Sequence, residues 1–177
     1  MITSYIGKSW ANEIEKIFCD IDFPWYYVNT VTYHRSDYDD PSVYGFYHGI
    51  YSDGQIISKT HGLLMPILYE FCDKHSIEFN NLLRVRAGLL TMSGVTGHHL
   101  PHTDYGLPGG ARIPHKTLLY YVNDSDGDTY FFDDNHKITT TIQPQKGKCV
   151  LFDGTILHAS SSPLKNNRRI VVNYNFT

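Results

Sequence analysis

Residues 116–132, "KTLLYYVNDSDGDTYFF", contain two short apolar runs separated by a polar turn at Asp126-Gly127. Runs of this length, rich in aromatic and β-branched residues and bounded by turn residues, are typical of β-strands. Similar runs follow one another through the C-terminal half of the chain, at residues 82–90, 137–142, 147–153 and 168–176. Many short strands at roughly ten-residue spacing favour a barrel or jelly roll over a parallel sheet.

The N-terminal part of the chain has a different pattern, which predicts two helices. In residues 9–20, four large apolar residues recur at helical spacing: Trp10, Ile14, Ile17 and Phe18. Ser9 is the expected N-cap of this helix. Residues 62–76 predict the second helix, which we start near Leu63–Pro66 because proline is tolerated in a first turn. We expect the helices to cover one face of a sheet.

Two further N-terminal segments are predicted to be extended. Residues 23–35 are rich in aromatic and β-branched residues, and residues 43–58 predict a β-hairpin with its turn at residues 52–54, Ser-Asp-Gly. The predicted fold class is therefore mostly β with packing helices (α+β). We expect a double-stranded β-helix, or jelly roll, with the N-terminal helices against one sheet.

Length and composition limit the possible classes of protein. The chain has 177 residues, which predicts one domain, with about 1–81 as support and about 82–177 as the jelly-roll core. A formal net charge of −3 with scattered Lys and Arg argues against a nucleic-acid partner. The sequence has no apolar run long enough to cross a membrane and no signal-peptide pattern. Three widely separated cysteines argue against a disulfide framework, so we expect a cytoplasmic protein.

The segment "GHHLPHTDYG", residues 97–106, places three histidines just before an aspartate. Non-haem iron(II) sites use two histidines and one carboxylate on one side of the ion, which leaves the other positions open. In the His102-x-Asp104 motif, the two-residue step puts both candidate ligands on the same side of an extended chain. His98 and His99 have no such partner, so we expect them to be loop residues beside the site.

A second histidine ligand must come from a more distant part of the chain. His158 follows the predicted strand 147–153 and a short turn. The predicted strands between Asp104 and His158 are sufficient for the chain to go round a small barrel and return. The remaining histidines lie in predicted loops, turns or helix, and we place them outside the metal site, with His115 and His136 in exposed turns.

Two arginines begin the last predicted strand, residues 168–176. The planar guanidinium grips carboxylates in a bidentate manner, so an arginine here would suit the far carboxylate of a 2-oxoglutarate co-substrate. Alternation puts Arg168 on the same face as Ile170 and Val172, and Arg169 on the more polar opposite face. Because the apolar face should pack under the helices, we predict Arg169, with Arg168 as the alternative.

The span 82–177 resembles the iron(II)/2-oxoglutarate dioxygenases, particularly the compact prolyl 4-hydroxylase-like group of microbes and phages. Four motifs carry this resemblance in the family's order: "PHTD", "TLLYYVNDSDGDTYFF", "QPQKGKCVLFDGTILHASSSP" and "RRIVVNYNF". "FPWYY" and "FYHGIYSDG" are similar to N-terminal pieces of the phage-type members. The resemblance therefore covers most of the chain.

The resemblance implies a hydroxylase that uses Fe(II), 2-oxoglutarate and O₂ and releases succinate and CO₂. It implies that the catalytic metal ligands are His102, Asp104 and His158. It further implies that one arginine of the pair binds 2-oxoglutarate and that Tyr121 hydrogen-bonds the same carboxylate.

Two other functions stay open. A non-oxidative cupin-like metal enzyme would bring more His or Glu ligands, but the chain has no His-x-His motif to supply them. An inactive jelly-roll binding module would have no reason to keep the complete set of metal and co-substrate residues. Substrate is expected to be recognised by residues 33–45 and 105–116, whose tyrosines and mixed charges suit a peptide, a free amino acid or a small polar metabolite. No oligomeric state is predicted.

Overall fold

The computed structural model describes residues 1–31, 43–105 and 112–177. Every strand predicted between residues 82 and 176 is present, as are both predicted helices. In chain order the elements are β1 (Ile2–Tyr5), α1 (Lys8–Phe18), β2 (Tyr26–Val28), β3 (Gly45–Ser52), β4 (Gln55–Ile56), α2 (His61–His75), β5 (Leu82–Thr91), β6 (Lys116–Tyr121), β7 (Thr129–Phe132), β8 (Ile138–Ile142), β9 (Lys148–Asp153), β10 (His158–Ser160) and β11 (Arg168–Phe176).

The strands form two antiparallel sheets. The larger sheet has the order β1-β9-β6-β11-β5-β3-β2, with β4 paired to β3, and the smaller has the order β10-β7-β8. From β6 onward the chain passes back and forth between them, since β7, β8 and β10 belong to the smaller sheet and β9 and β11 to the larger. Strands far apart in sequence thereby become neighbours, as where β6 pairs with both β9 and β11. The predicted double-stranded β-helix is confirmed.

Three strands of the larger sheet, β6, β9 and β11, contribute to two cores, because their side chains alternate between the two faces. The outer face packs against α1 and α2, as predicted, through residues that include Ile14, Phe18, Leu64, Leu68, Tyr120, Val172 and Tyr174. The inner face packs against the smaller sheet through Leu119, Tyr121, Phe131, Val150, Phe152 and Val171. The inner face is therefore the side from which polar residues can reach a site between the sheets.

Both helices begin at residues other than those predicted. The N-cap of α1 is Gly7 and not Ser9, and no side chain caps the helix. α2 begins at His61, which places Pro66 beyond the first turn. A proline at this position removes the hydrogen bond to the carbonyl of Gly62. Gly62 is exposed, so water can solvate that carbonyl, and the helix continues through the proline.

The predicted hairpin in residues 43–58 is confirmed by the pairing of β3 with β4. Its turn residues Asp53 and Gly54 have φ values of 52° and 77°, both left-handed, as a type I′ turn requires. Of the extended segment predicted in residues 23–35, only β2 is a strand in the described part of the chain, and residues 32–42 lie outside it. β1 and β10 were not predicted, because their 4 and 3 residues are too few to establish an alternating pattern and, unlike the equally short β7, they contain no apolar run.

Candidate active site

The fold brings the side chains of His102, Asp104 and His158 together. One potential ligand atom from each of the three residues lies within 4.8 Å of the other two. The backbone creates this arrangement: the amide of His102 donates to the carbonyl of His158 at 2.9 Å, and the reciprocal bond is 3.0 Å. This isolated β-bridge joins the segment before Asp104 to β10. The short strand β10 therefore brings the distant histidine beside the His-x-Asp motif.

Backbone carbonyls determine which ring nitrogen each histidine presents to the site. Nδ1 of His158 lies 3.0 Å from the carbonyl of Ile156, and Nδ1 of His102 lies 3.2 Å from the carbonyl of Leu100. A carbonyl can only accept, so each neutral ring carries its proton on Nδ1 and keeps a lone pair on Nε2. Nε2 of His158 lies 3.6 Å from Oδ2 of Asp104. This orientation fits histidines that bind a metal through Nε2.

Asp104 is held by polar side chains of the larger sheet. Nδ2 of Asn173 donates to its Oδ1 at 3.1 Å, and Nδ2 of Asn175 donates to its Oδ2 at 3.4 Å. The guanidinium of Arg84 lies 3.8 Å from Oδ1. Burial raises the pKa of the Asp104 carboxyl, but the protonated form of His158 and the guanidinium of Arg84 outweigh burial and hold the pKa well below its usual range. The carboxyl is therefore ionised at neutral pH, as a metal ligand requires.

These three side chains line a cavity of about 200 Å³ between the sheets. Arg169, which is 4% exposed, lines the same cavity. Its Nε donates to the carbonyl of Gly127 at 2.7 Å, and its guanidinium donates to the hydroxyl of Thr129 at 2.8 Å. Among the described residues, no carboxylate lies within ion-pair distance of Arg169. A buried cation on a cavity wall suits an anionic ligand.

Arg168 lies elsewhere. Its side chain is exposed, and it is not among the described residues that line the cavity. Side-chain alternation accounts for the difference: Ile170 and Val172 pack against the helices, whereas Val171 and Asn173 line the cavity on the same face as Arg169. The regular pairing of β11 with β5 through residues 168–175 maintains this alternation.

Tyr121 is fully buried and does not itself line the cavity. Its hydroxyl donates to the hydroxyl of Thr129 at 2.8 Å. Thr129 therefore accepts hydrogen bonds from both Tyr121 and Arg169, and it lines the cavity where Tyr121 does not. Thr129 is a site residue that the sequence prediction missed. The available signal was its position as the first residue of the "T-x-F" strand in the motif that follows Tyr121.

The neighbouring histidines have other contacts. His99 is buried, with Nδ1 3.1 Å from the hydroxyl of Ser160 and Nε2 3.2 Å from that of Ser162. His98 is exposed, and its ring lies against Phe132. In the described part of the chain, the cluster of His102, Asp104 and His158 is the single group of three or more such side chains close enough to hold a metal ion.

The prediction that His115 is exposed is wrong. The ring is buried against Gly154, where a Cβ atom would lie 2.1 Å from Nε2 of His115. The amide of Gly154 also donates to the carbonyl of His115 at 2.8 Å. The absence of a side chain at residue 154 is what makes room for the ring. His136 is exposed, as predicted.

The protein is a jelly roll in which two histidines, a carboxylate and a buried arginine line one cavity. This is the architecture of the non-haem iron(II) oxygenases. The chain belongs to the 2OG-Fe(II) oxygenase superfamily, whose family model matches residues 87–177. It is a 2-oxoglutarate-dependent Fe(II) dioxygenase, and the predicted use of Fe(II), 2-oxoglutarate and O₂ is confirmed. No helix in the described residues is long and apolar enough to cross a membrane.

Solved structures with the same fold include three that the chain matches over nearly its full length. A prolyl hydroxylase from Trichoplax adhaerens, in complex with a hypoxia inducible factor oxygen degradation domain peptide fragment, has 14% identity and a TM-score of 0.68, with 99% of this chain and 82% of that chain covered. The epimerase SnoN from nogalamycin biosynthesis has 11% identity and a TM-score of 0.67, with 99% and 77% covered. A 2OG-Fe(II) oxygenase family oxidoreductase from Burkholderia pseudomallei has 12% identity and a TM-score of 0.65, with 99% and 85% covered. A search of curated proteins gave no significant match.

Proposed function

We propose that the chain hydroxylates an unactivated C–H bond of a peptide, a free amino acid or a small polar metabolite, with release of succinate and CO₂. One observation carries the proposal: His102, Asp104, His158 and the buried cation Arg169 line the same cavity. A 2-oxoglutarate-dependent hydroxylase needs both features, a metal site to hold the reacting end of the co-substrate and a cation to hold its far carboxylate.

We assign His102, Asp104 and His158 as the Fe(II) ligands. Two imidazoles that have their Nδ1 atoms against backbone carbonyls and one ionised carboxylate form the donor set that non-haem iron(II) prefers. Fe(II) bound there supplies the O₂ chemistry that couples oxidative decarboxylation of 2-oxoglutarate to hydroxylation of the substrate. Asn173 and Asn175 donate to the Asp104 carboxylate and so fix its orientation.

We assign Arg169 and Thr129 to the far carboxylate of 2-oxoglutarate, and leave Arg168 out of the site. The oxygen of Thr129 accepts from two donors, so its own proton is left to donate to a carboxylate beside Arg169. Tyr121 remains part of the proposed site because its hydroxyl orients Thr129. The apolar walls, which include Leu119, Phe152 and Val171, keep water away from the bound co-substrate.

We further propose that residues 1–177 act as one domain in the cytoplasm. The packing of α1 and α2 against β5, β6 and β11 supports a single unit, because the N-terminal helices complete the core behind the site. Cys19, Cys72 and Cys149 are free thiols, which suits a reducing compartment. Residues 33–45 and 105–116 remain the proposed substrate-binding segments, and most of these residues lie outside the described part of the chain.

Anaerobic titration with Fe(II) and 2-oxoglutarate tests this proposal. The bidentate chelate gives a weak visible charge-transfer band, which a non-oxidative cupin-like enzyme or an inactive binding module would not produce. We expect the band in the wild type and in His98→Ala, the matched control, and its loss in His158→Ala. Wild-type protein without the band would contradict the proposal.

The substrate class is tested by succinate release across prolyl peptides, free amino acids and small polar metabolites. Mass spectrometry must find one added oxygen atom in the substrate that stimulates succinate release. This measurement separates hydroxylation from other oxidative outcomes. A substrate that is converted with stoichiometric consumption of 2-oxoglutarate but gains no oxygen atom would contradict hydroxylation. The assignment of the chain as a dioxygenase would still hold.

A further inference from the structure

The backbone that carries Asp104 lies beyond the β-bridge at the site. The reciprocal hydrogen bonds between His102 and His158 form this bridge, and Asp104 follows two residues later. Among the described residues, no backbone-to-backbone hydrogen bond reaches Asp104. A metal ligand has to be held to within about 0.5 Å of its productive position. Side-chain contacts therefore have to hold this part of the backbone in place.

Arg84 on β5 makes such a contact. Its NH2 group donates to the backbone carbonyl of Asp104, and its Nε donates to Oδ1 of Asn175 at 3.2 Å. The same NH2 group lies 3.8 Å from the Asp104 carboxylate. The two donors belong to one rigid planar group, so they reach two acceptors at a fixed spacing, which the single ammonium of a lysine cannot reproduce.

The guanidinium of Arg84 is in turn anchored to the centre of the larger sheet. Arg84 is opposite Asn175 in the β5–β11 pair, and Asn175 is opposite Thr117 in the β11–β6 pair. Nδ2 of Asn175 donates to the hydroxyl of Thr117 at 3.0 Å, and both residues are fully buried. A row of side chains across three strands thus ends at the backbone of Asp104.

Tyr105, the residue after Asp104, provides a second anchor. Its ring centroid lies 5.9 Å from Cζ of Arg84 and 5.9 Å from the ring centroid of His115, which it meets edge to face. The ring of His115 is itself buried against Gly154, between β9 and β10. Tyr105 therefore connects the segment that carries the candidate ligand to two separate parts of the fold.

We propose that Arg84 and Tyr105 are positioning residues that hold Asp104 in its metal-binding place before the metal arrives. The proposal rests on the proposed function above, in which Asp104 is an Fe(II) ligand. Arg84 acts on metal binding in two opposite ways: its charge repels a cation, whereas its hydrogen bonds preorganise the ligand. The side chain is 26% exposed, so solvent weakens the repulsion, and the hydrogen bonds dominate.

Anaerobic titration with Fe(II) against a chromophoric chelator measures metal affinity without turnover. Arg84→Lys keeps the charge but loses the fork, and it should bind Fe(II) about tenfold or more weakly than the wild type. Arg84→Gln loses the repulsion as well, so it should fall between Arg84→Lys and the wild type. Arg168→Gln, which removes a surface arginine, should bind Fe(II) as the wild type does. Wild-type affinity in Arg84→Lys, or tighter binding in Arg84→Gln, would overturn the proposal.

A matched pair at Tyr105 provides an independent test. Tyr105→Phe keeps the ring and should keep the wild-type affinity for Fe(II), whereas Tyr105→Leu should weaken binding about threefold. Urea unfolding of the metal-free variants shows the conditions in which each is folded, and affinities are compared there. Variants at residues 84 and 105 that lose stability but keep the wild-type affinity would reduce both residues to a structural role and overturn the proposal. A wild type that fails to bind Fe(II), or that lacks the charge-transfer band with 2-oxoglutarate, would instead overturn the proposed function.

Discussion

The guanidinium of Arg169 donates a 2.8 Å hydrogen bond to the hydroxyl of Thr129. Both residues are buried, and both line the cavity that also holds the candidate metal ligands. The pair changes the expected role of Tyr121, whose hydroxyl reaches Thr129 and not the cavity itself. The proposed co-substrate site therefore consists of an arginine and a threonine at the surface of the cavity, and a tyrosine behind the threonine supports it.

Replacement of Thr129 tests this arrangement. Thr129→Val keeps the shape but removes the acceptor for two buried donors and the proposed donor to 2-oxoglutarate. We expect the apparent KM for 2-oxoglutarate to rise roughly tenfold, corresponding to ~1–2 kcal/mol. Tyr121→Phe should raise the KM less, because it removes only the support of Thr129. A larger effect of Tyr121→Phe than of Thr129→Val would indicate that Tyr121 contacts the co-substrate directly.

Substitutions of the two adjacent arginines should have very different effects on the affinity for 2-oxoglutarate. Arg169→Ala should weaken 2-oxoglutarate binding by ~2–4 kcal/mol, because a charged bidentate contact is lost from a buried site. Arg168→Ala removes an exposed side chain and should bind 2-oxoglutarate as the wild type does. Calorimetric or spectroscopic titration of the Fe(II) protein with 2-oxoglutarate measures both affinities. Equal affinities in the two variants would show that Arg169 does not bind the far carboxylate of 2-oxoglutarate.

Histidine substitutions separate metal ligands from supporting residues. His102→Ala and His158→Ala should abolish iron-dependent turnover, whereas His99→Ala should retain it. Because His99 is buried between Ser160 and Ser162, its loss should lower the free energy of unfolding by about 1–3 kcal/mol. Iron content, turnover and urea unfolding are the measurements. Loss of the metal from His99→Ala without loss of stability would contradict the ligand assignment.

Asp126 should make stability depend on pH. Its carboxylate accepts hydrogen bonds from the backbone amides of Leu164, Lys165 and Asn166, at 3.2, 2.8 and 3.0 Å. Burial raises the pKa of Asp126, but the backbone hydrogen bonds to the carboxylate, which include these three, together outweigh burial and lower the pKa. A lowered pKa in the folded state means that the stabilisation is complete above the carboxyl's unfolded pKa and is lost as the pH falls through the folded value.

Asp126→Ala is therefore expected to reduce the free energy of unfolding by about 1 kcal/mol at neutral pH, a value discounted for solvent screening. The difference from the wild type should shrink as the pH falls through the folded pKa of Asp126. Urea unfolding of the metal-free protein across this range measures it. A difference in the free energy of unfolding that stays constant with pH would show that the carboxylate charge does not cause the stabilisation.

Gly127 allows the chain to pass close to the loop that precedes β11. A Cβ atom there would lie 2.6 Å from the carbonyl oxygen of Ser161 and 3.0 Å from Cδ of Arg169. Gly127→Ala should destabilise the protein by about 1–3 kcal/mol and weaken 2-oxoglutarate binding through displacement of Arg169. Gly62→Ala is the matched control, because its Cβ would meet nothing within 4 Å and alanine favours helix. Equal stability of the two variants would contradict the close packing at Gly127.

Local sequence patterns determined most of the secondary structure. The apolar runs between residues 82 and 176 predicted their strands because alternation and turn residues are properties of neighbouring positions. The same locality explains the errors: the N-cap of α1 and the passage of α2 through Pro66 depend on exposure and backbone geometry that composition does not reveal. The short strands β1 and β10 left no periodic signal.

In the candidate site, too, the sequence indicated some features and the tertiary structure decided others. The two-residue step from His102 to Asp104 and the alternation that separates Arg169 from Arg168 can be read within one strand or segment, so the sequence alone indicated them. The bridge between His102 and His158 and the hydroxyl of Thr129 between Arg169 and Tyr121 were decided by the tertiary structure. Each depends on which strands pair and in what register. That register is set by packing across the whole molecule, through residues far apart in the chain.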